Sequence, residues 1–279
     1  YDIFDIEDAY IGSVKGFGVV FLIEENGIER VISPSGDYLE KELNVYDIEG
    51  NLCGRIEREH DSLILPYHKD KPWIIISGTR RGYGGLEVYN LLDDLIYAFN
   101  SISRGWPLYG SASYIVIEGE RECGELETIN VYNGAYELMW DYKLSEEEHR
   151  QANTRIKVSE NENYICIYTE NRLKGLLDWK LGFKVLDITT GEEIYGVENA
   201  GVNNGYIQSL SNDGLKLLVY QRDYPLVRYS KLLLINNGKT IGEVSTHPDD
   251  GKIEGYLTPD GKYLIAGVPA RIKVFKIKP

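Results

Sequence analysis

Ile3-Phe4-Asp5, Val45-Tyr46-Asp47, Val88-Tyr89-Asn90, Val131-Tyr132-Asn133, Val185-Leu186-Asp187, Leu234-Ile235-Asn236 and Val274-Phe275-Lys276 share one pattern, two apolar residues closed in all but the last by an acid or amide. The spacings are 42, 43, 43, 54, 49 and 40 residues. An apolar run precedes each of the last six triplets: Ile28 to Ser33, Trp73 to Ser77, Tyr114 to Glu118, Tyr164 to Thr169, Leu215 to Tyr220 and Lys262 to Gly267. Short runs of this kind bounded by turn residues read as strands. The turns before them include Glu25-Asn26-Gly27, Glu160-Asn161-Glu162, Asn212-Asp213-Gly214 and Asp260-Gly261. Asn-Gly and Asp-Gly supply the positive φ that hairpin turns demand. The acid or amide of the triplet opens a second set of turns, such as Ile48-Glu49-Gly50-Asn51 and Thr189-Thr190-Gly191, and turn chemistry is its reading.

Strand units recurring at this period predict an all-β chain: a single β-propeller domain over residues 1–279, made of four-stranded antiparallel blades that bury their faces only against neighbours. Six sets of first, second and third strands favour six blades, with seven if Ile3 to Ile6 is the third strand of a shortened blade. The last blade stops at its third strand, Ile272 to Ile277. The N-terminal stretch Ile3 to Val14 is expected to complete it, closing the ring and removing an exposed sheet edge.

Two stretches, Ser211-Asn212-Asp213-Gly214-Leu215-Lys216-Leu217-Leu218-Val219 and Thr258-Pro259-Asp260-Gly261-Lys262-Tyr263-Leu264-Ile265-Ala266-Gly267, resemble the first-to-second strand hairpins of WD40-like propellers. Leu186-Asp187-Ile188-Thr189-Thr190-Gly191-Glu192-Glu193-Ile194-Tyr195 resembles the repeat of quinoprotein-type propellers, with Tyr195 where that repeat has Trp. The resemblance spans the whole chain at the level of the repeat. It implies the fold and leaves the activity open, because propellers host scaffolds, lyases, lactonases and dehydrogenases alike. No cofactor is expected.

Composition narrows the function classes. With 30 Lys and Arg against 44 Asp and Glu, the formal net charge is −14, which repels nucleic acid and anionic lipid. No apolar run is long enough to span a membrane, so a soluble chain without membrane insertion is expected. The start carries no signal-peptide pattern, and the chain has no N-glycosylation sequon; both favour a cytoplasmic setting, although the missing initiator Met leaves a processed, secreted chain open. Cys53, Cys123 and Cys166 have no zinc-finger or C-x-x-C spacing, and Cys53 and Cys166 fall in strand patterns where a reduced Cys is a small core residue.

Strand directions alternate, so second-to-third and inter-blade loops share one face of the expected disc. These loops are the long ones, among them Thr79 to Gly84, Gly119 to Glu125, Glu170 to Gly182, Gln221 to Ser230 and Lys143 to Asn153, which carries a helix-capping box at Ser145. Five of the six second strands are followed within a few residues by Arg: Arg80, Arg121, Arg172, Arg222 and Arg271. Adding Arg81, Arg104, Arg150 and Arg228 places nine of the 13 Arg on this face, with Tyr83, Trp106, Trp179 and Tyr224 beside them. The Arg fork suits carboxylates, phosphates and aromatic faces, and Arg with Tyr and Trp is the composition of binding hot spots. Arg80, Arg121, Arg172, Arg222, Arg271, Tyr83, Trp106, Trp179 and Tyr224 are therefore the candidate site for a protein partner or an anion. The bland account pairs each Arg with a nearby carboxylate such as Glu118, Glu170 or Asp223. No nucleophile elbow, phosphate loop, H-E-x-x-H or EF-hand is present, and His60, His68, His149 and His247 fit no metal spacing. No catalytic residue or metal ligand is assigned. The expected function is a non-catalytic scaffold that binds a protein partner, or docks into an assembly, through the long-loop face. The alternative is a small-molecule hydrolase or lyase acting at the channel mouth on an anionic substrate.

Overall fold

A computed structural model of the chain describes residues 2–4, 10–13, 21–25, 28–34, 42–57, 73–77, 86–90, 95–99, 104–111, 113–120, 128–144, 154–172, 179–200, 202, 205–222, 230–245, 253–268 and 271–278. The secondary structure there is all strand and turn, in antiparallel sheets. The chain divides into two compact units, Tyr1–Lys143 and Leu144–Pro279. The first holds a two-stranded sheet of β1 (Asp2–Phe4) and β2 (Tyr10–Ser13), and a four-stranded sheet of β3 (Phe21–Glu25), β4 (Ile28–Pro34), β5 (Glu42–Asp47) and β6 (Leu52–Glu57). A three-stranded sheet follows, β7 (Trp73–Ser77), β8 (Leu86–Asn90) and β9 (Leu95–Phe99), and then the four strands β10 (Arg104–Gly110), β11 (Tyr114–Glu120), β12 (Thr128–Asn133) and β13 (Leu138–Lys143). The second unit contains β14 (Thr154–Val158), β15 (Tyr164–Arg172), β16 (Trp179–Asp187) and β17 (Glu193–Val197) in one sheet, and β18 (Gly205–Leu210), β19 (Lys216–Arg222), β20 (Ser230–Asn236) and β21 (Lys239–Ser245) in the next. Its last sheet has three strands, β22 (Glu254–Leu257), β23 (Tyr263–Val268) and β24 (Arg271–Lys276).

The expected six-bladed ring closed by the N-terminal strand is not what these pairings make. The described strands form sheets of two, four, three, four, four, four and three strands, and no sheet closes on itself. The N-terminal strand β1 pairs with β2, Ile3 opposite Gly12, whereas β24 pairs with β23 alone. The local hairpin needs only a short loop, while the expected partner lies at the other end of the chain; each doubling of loop length adds about 0.6 kcal/mol of closure entropy. The helix-capping box expected at Ser145 falls outside the described residues.

Period-2 alternation decides the packing of the second unit. Along β19, Leu217 and Val219 enter one apolar cluster with Cys166, Phe183, Val185 and Ile207, whereas Leu218 and Tyr220 enter another with Ile253, Leu257, Leu264 and Ala266. Along β20, Leu233 and Ile235 go to the first cluster and Leu232 and Leu234 to the second. This sheet is thus apolar on both faces and sits between its two neighbours, each fully buried Leu or Val contributing about 1.5–3 kcal/mol. In the first unit Ile115, Val116, Ile117, Ile129 and Val131 are buried in the same manner, and Phe99 meets Tyr97 and Tyr132 edge-on at centroid distances of 4.9 and 4.7 Å. Cys166 lies in the core as expected, and its burial pushes the thiol well up; Cys53 is exposed in β6, the outer strand of its sheet, contrary to the core reading.

Tyr195, at the position where the quinoprotein repeat has Trp, ties two sheets together. Its ring packs edge-on to Phe183, with centroids 6.1 Å apart, and its hydroxyl donates to the Leu215 carbonyl before β19 at 3.1 Å. Burial, together with Cys166 and Asp213, raises its hydroxyl pKa strongly.

Gly214 adopts a φ of +71°, and a Cβ there would stand 2.8 Å from the Tyr164 ring. Gly214→Ala should therefore lower stability by about 1–3 kcal/mol in thermal or urea unfolding. Gly242→Ala is the control: its Cβ would meet only the Leu234 Cβ at 3.9 Å, and its melting temperature should stay within a degree or two of the parent, roughly the effect of a few tenths of a kcal/mol.

Candidate functional site

The two ends of the sheets in the second unit differ in chemistry. At one end lie the first-to-second turns, each opened by a hydroxyl residue: Ser159, Ser211 and Thr258. These hydroxyls accept from the backbone N–H groups of Tyr164, Lys216 and Tyr263 at 3.0, 2.9 and 3.0 Å. They donate to the side-chain oxygens of Asn161, Asp213 and Asp260 two residues on. The left-handed positions that follow fall on Glu162, Gly214 and Gly261. Three copies of one turn are then laced together. The Asn161 N–H donates to Asn212 Oδ1 at 3.0 Å, Asn161 Nδ2 donates to the Asn212 carbonyl at 3.0 Å, and the Asn212 N–H donates to the Pro259 carbonyl at 2.6 Å. The hydroxyls were not singled out by the sequence reading, although stacking Ser159-Glu160-Asn161, Ser211-Asn212-Asp213 and Thr258-Pro259-Asp260 displays them.

The second-to-third connections leave from the opposite ends of the same strands. Arg172 is the last residue of β15 and stands opposite Trp179, the first of β16; Arg222 ends β19 opposite Ser230; Arg271 opens β24 opposite Val268. Three of the five repeated Arg thus lie at the same end of three successive sheets, Arg172 and Arg222 on second strands and Arg271 on a third. The structure places Arg172 in a strand, where a loop was expected, because β15 and β16 run nine residues each and keep pairing past Thr169. Arg104 likewise opens β10, and Trp106 lies within it opposite Glu118. Arg271 is exposed. Arg80, Arg121, Tyr83 and Tyr224 fall outside the described residues, as do Arg81, Arg150 and Arg228.

The titratable groups are tuned by burial and turn hydrogen bonds. Lys157 on β14 is half-buried, and desolvation lowers its pKa. Asp213 is pushed up by burial, but hydrogen bonds from Ser211, the Leu215 N–H and Lys216, with the Lys216 charge 3.3 Å away, outweigh this and hold the carboxyl below its ordinary value. The triplet acids and amides do turn work: Asp187 Oδ1 accepts from the N–H groups of Thr189 and Thr190, both at 2.9 Å, and Asn133 Oδ1 from Ala135 and Glu137. Among the described residues no three His, Cys, Asp or Glu side chains converge, and no helix is long and apolar enough to cross a membrane.

No family model and no curated protein matches the chain. Solved structures do resemble it. KlAtg21 in complex with the coiled coil of AgAtg16 is similar with a TM-score of 0.56 at 13% identity, over 94% of this chain and 81% of that one. The hydrazine synthase of Kuenenia stuttgartiensis is similar with a TM-score of 0.54 at 14% identity, over 92% and 76%. The β-propeller domain of the Trilobed protease from Pyrococcus furiosus, which has an open velcro topology, gives a TM-score of 0.52 at 13% identity, over 93% and 86%. At such identities the likeness is one of fold. The chain has a β-propeller-like fold.

Asp213→Asn tests the turn ladder, because Asn161 already fills the equivalent place beside Ser159. The folded-state pKa of Asp213 lies below its ordinary value of 3.8, so its charge contributes stability in full above about pH 4 and loses it as pH falls through the depressed value. The partner Lys216 is largely covered but Asp213 is open to solvent, so the loss at pH 7 should be about 0.5 kcal/mol or less. Urea unfolding should show the gap between parent and variant closing between pH 4 and roughly pH 2. A gap constant with pH would mean that the carboxylate charge does nothing.

Proposed function

We propose that the chain is a non-catalytic binding module, which engages a partner protein through the ends of its sheets that carry the second-to-third connections. One observation carries this reading: Arg172 and Arg222 each end a second strand and Arg271 opens a third, so three successive sheets each carry an Arg at the end away from the laced turns. The laced end satisfies its own polar groups, and such a surface gains little from a partner. The other end offers cations, with Trp179 in register opposite Arg172, and Arg and Trp are over-represented among interface hot spots. Arg80 and Arg121 follow second strands in the first unit and extend the same reading by sequence. The likeness to KlAtg21, a protein seen holding a coiled coil, supports the class of activity and does not identify the partner.

The test is a comparison of parent chain and the Arg172→Ala, Arg222→Ala double variant as baits, read by quantitative mass spectrometry and then by titration with the recovered protein. A partner retained by the parent should be lost or weakened by about 1–3 kcal/mol per well-buried Arg, with an unchanged melting curve, and added salt should weaken it further. Equal recovery by both baits would remove the Arg set from the interface. Turnover of an anionic ester or lactone by the parent, with a raised KM in the double variant, would replace this reading with the hydrolase or lyase one.

A further inference from the structure

The strand carrying the last triplet is exposed where its counterparts are buried. Val131, Val185 and Leu234 are 0%, 0% and 5% exposed in the third strands β12, β16 and β20; Val274, at the same place in β24, is 63% exposed. The next residues repeat the contrast, Tyr132, Leu186 and Ile235 being buried and Phe275 exposed. Register explains which side is bare, since residues directly opposite in an antiparallel pair share a face. Leu257, Leu264 and Phe275 lie in one row, and Leu257 and Leu264 are buried in the cluster shared with β19 and β20. Tyr256, Ile265 and Val274 form a row on the other face, flanked by Ile272, which is 76% exposed, and Tyr263. Unlike the other sheets of the second unit, this one has no fourth strand among the described residues, so the outer edge of β24 pairs with no described strand.

An open apolar edge is a template for another strand. Its charge selects the occupant. Arg271, Lys273, Lys276 and Lys278 are exposed cations within eight residues that contain no acid, in a chain of net charge −14. A second copy is disfavoured, because in any register two such edges bring eight cations together within a few residues and with no acid between them. An extended acidic strand meets the edge with opposite charge instead.

We propose that β24 is an acceptor for β-strand addition by an extended, acidic segment of another protein, one that alternates Asp or Glu with Val or Ile. Backbone pairing along β24 supplies the fourth strand, the acids face Arg271 and Lys273 on one side of the sheet, and the branched residues cover Ile272 and Val274 on the other. This surface lies at the edge of the sheet and shares only Arg271 with the Arg set above; the Arg172→Ala, Arg222→Ala variant leaves it untouched, so either can fail without the other.

The experiment is fluorescence anisotropy on the full chain with a labelled synthetic octapeptide of alternating Glu and Val, set against the same peptide with Lys for Glu and one with a central Pro. The acidic peptide should bind about tenfold or more tightly than the Lys peptide, and lose about as much through the Pro, which removes a ladder donor without changing charge. Lys273→Glu should abolish the charge preference, since it sets an acid beside Arg271 on the face that meets the acids of the peptide. If that variant melts early, the Pro comparison on the parent chain still decides. Absence of acidic-peptide binding overturns the proposal, as does binding indifferent to the Pro, which would reduce β24 to a diffuse cationic patch. A dimer in sedimentation that the peptide competes apart would assign the edge to a second copy and overturn it equally.

Discussion

A strand that is apolar on both faces cannot be satisfied by its own sheet, and this constraint organises the second unit. Leu217 and Val219 point one way from β19 and Leu218 and Tyr220 the other, so the sheet exists only between two others. The glycines follow from the same closeness: a Cβ on Gly255 would come within 2.5 Å of Leu232 Cδ1, one of two fully buried leucines under it. Each sheet is thus both a unit of the repeat and the wall of its neighbour's core, and the exposed face of β24 is what such a wall looks like uncovered.

Lateral cohesion does not rest on apolar contact alone. The Ser or Thr that opens each turn fixes the backbone, which aligns Asn161, Asn212 and Pro259 so that one turn hydrogen-bonds the next. Tyr195 repeats the device from the other side of its sheet, spanning to the Leu215 carbonyl, which also accepts from the Asn237 N–H at 2.8 Å. Polar bonds of this kind contribute about 1 kcal/mol each, modest beside burial, but they are directional and hold neighbours in one register.

Much of this was legible in the chain because local chemistry carries it. Every described triplet residue lies on a strand, Asp5 alone falling outside the described residues, and Gly50, Gly191, Gly214 and Gly261 are among the left-handed positions as the turn dipeptides imply. Glu162 was harder to read, since Asn161 mimics the Asp of the other turns while the next residue bears a side chain. What failed depends on partners distant in sequence. Cys53 sits in an apolar run like Cys166, yet β6 is an outer strand and β15 an inner one, a difference set by pairing order. Ring closure failed for the same reason: Ile3 to Val14 had the pattern of a strand, but pattern does not state which edge a strand will take, and β1 found β2. Arg172 lies in a strand where a loop was expected, because the length of β15 depends on β16 continuing beside it as far as Trp179, while Arg80 and Arg121 lie outside the described residues.

The contrast between the sheet ends bears on where a fold of this kind can acquire a function. Every hydroxyl, amide and acid in the laced turns is committed to holding its own or the adjacent turn, so a change there costs stability before it can gain a ligand. Past Thr169 the β15–β16 hairpin continues through its own ladder, Glu170 opposite Leu181 and Asn171 opposite Lys180, and Leu181 also donates to the Val202 carbonyl and accepts from the Ala200 N–H. Positions with no structural duty are free to vary toward recognition. The lacing is a property of the repeat itself, three copies of one turn bonded in register, whereas at the other end the Ile253 N–H donates to Ser230 Oγ at 3.1 Å and joins one sheet to the next by a different bond.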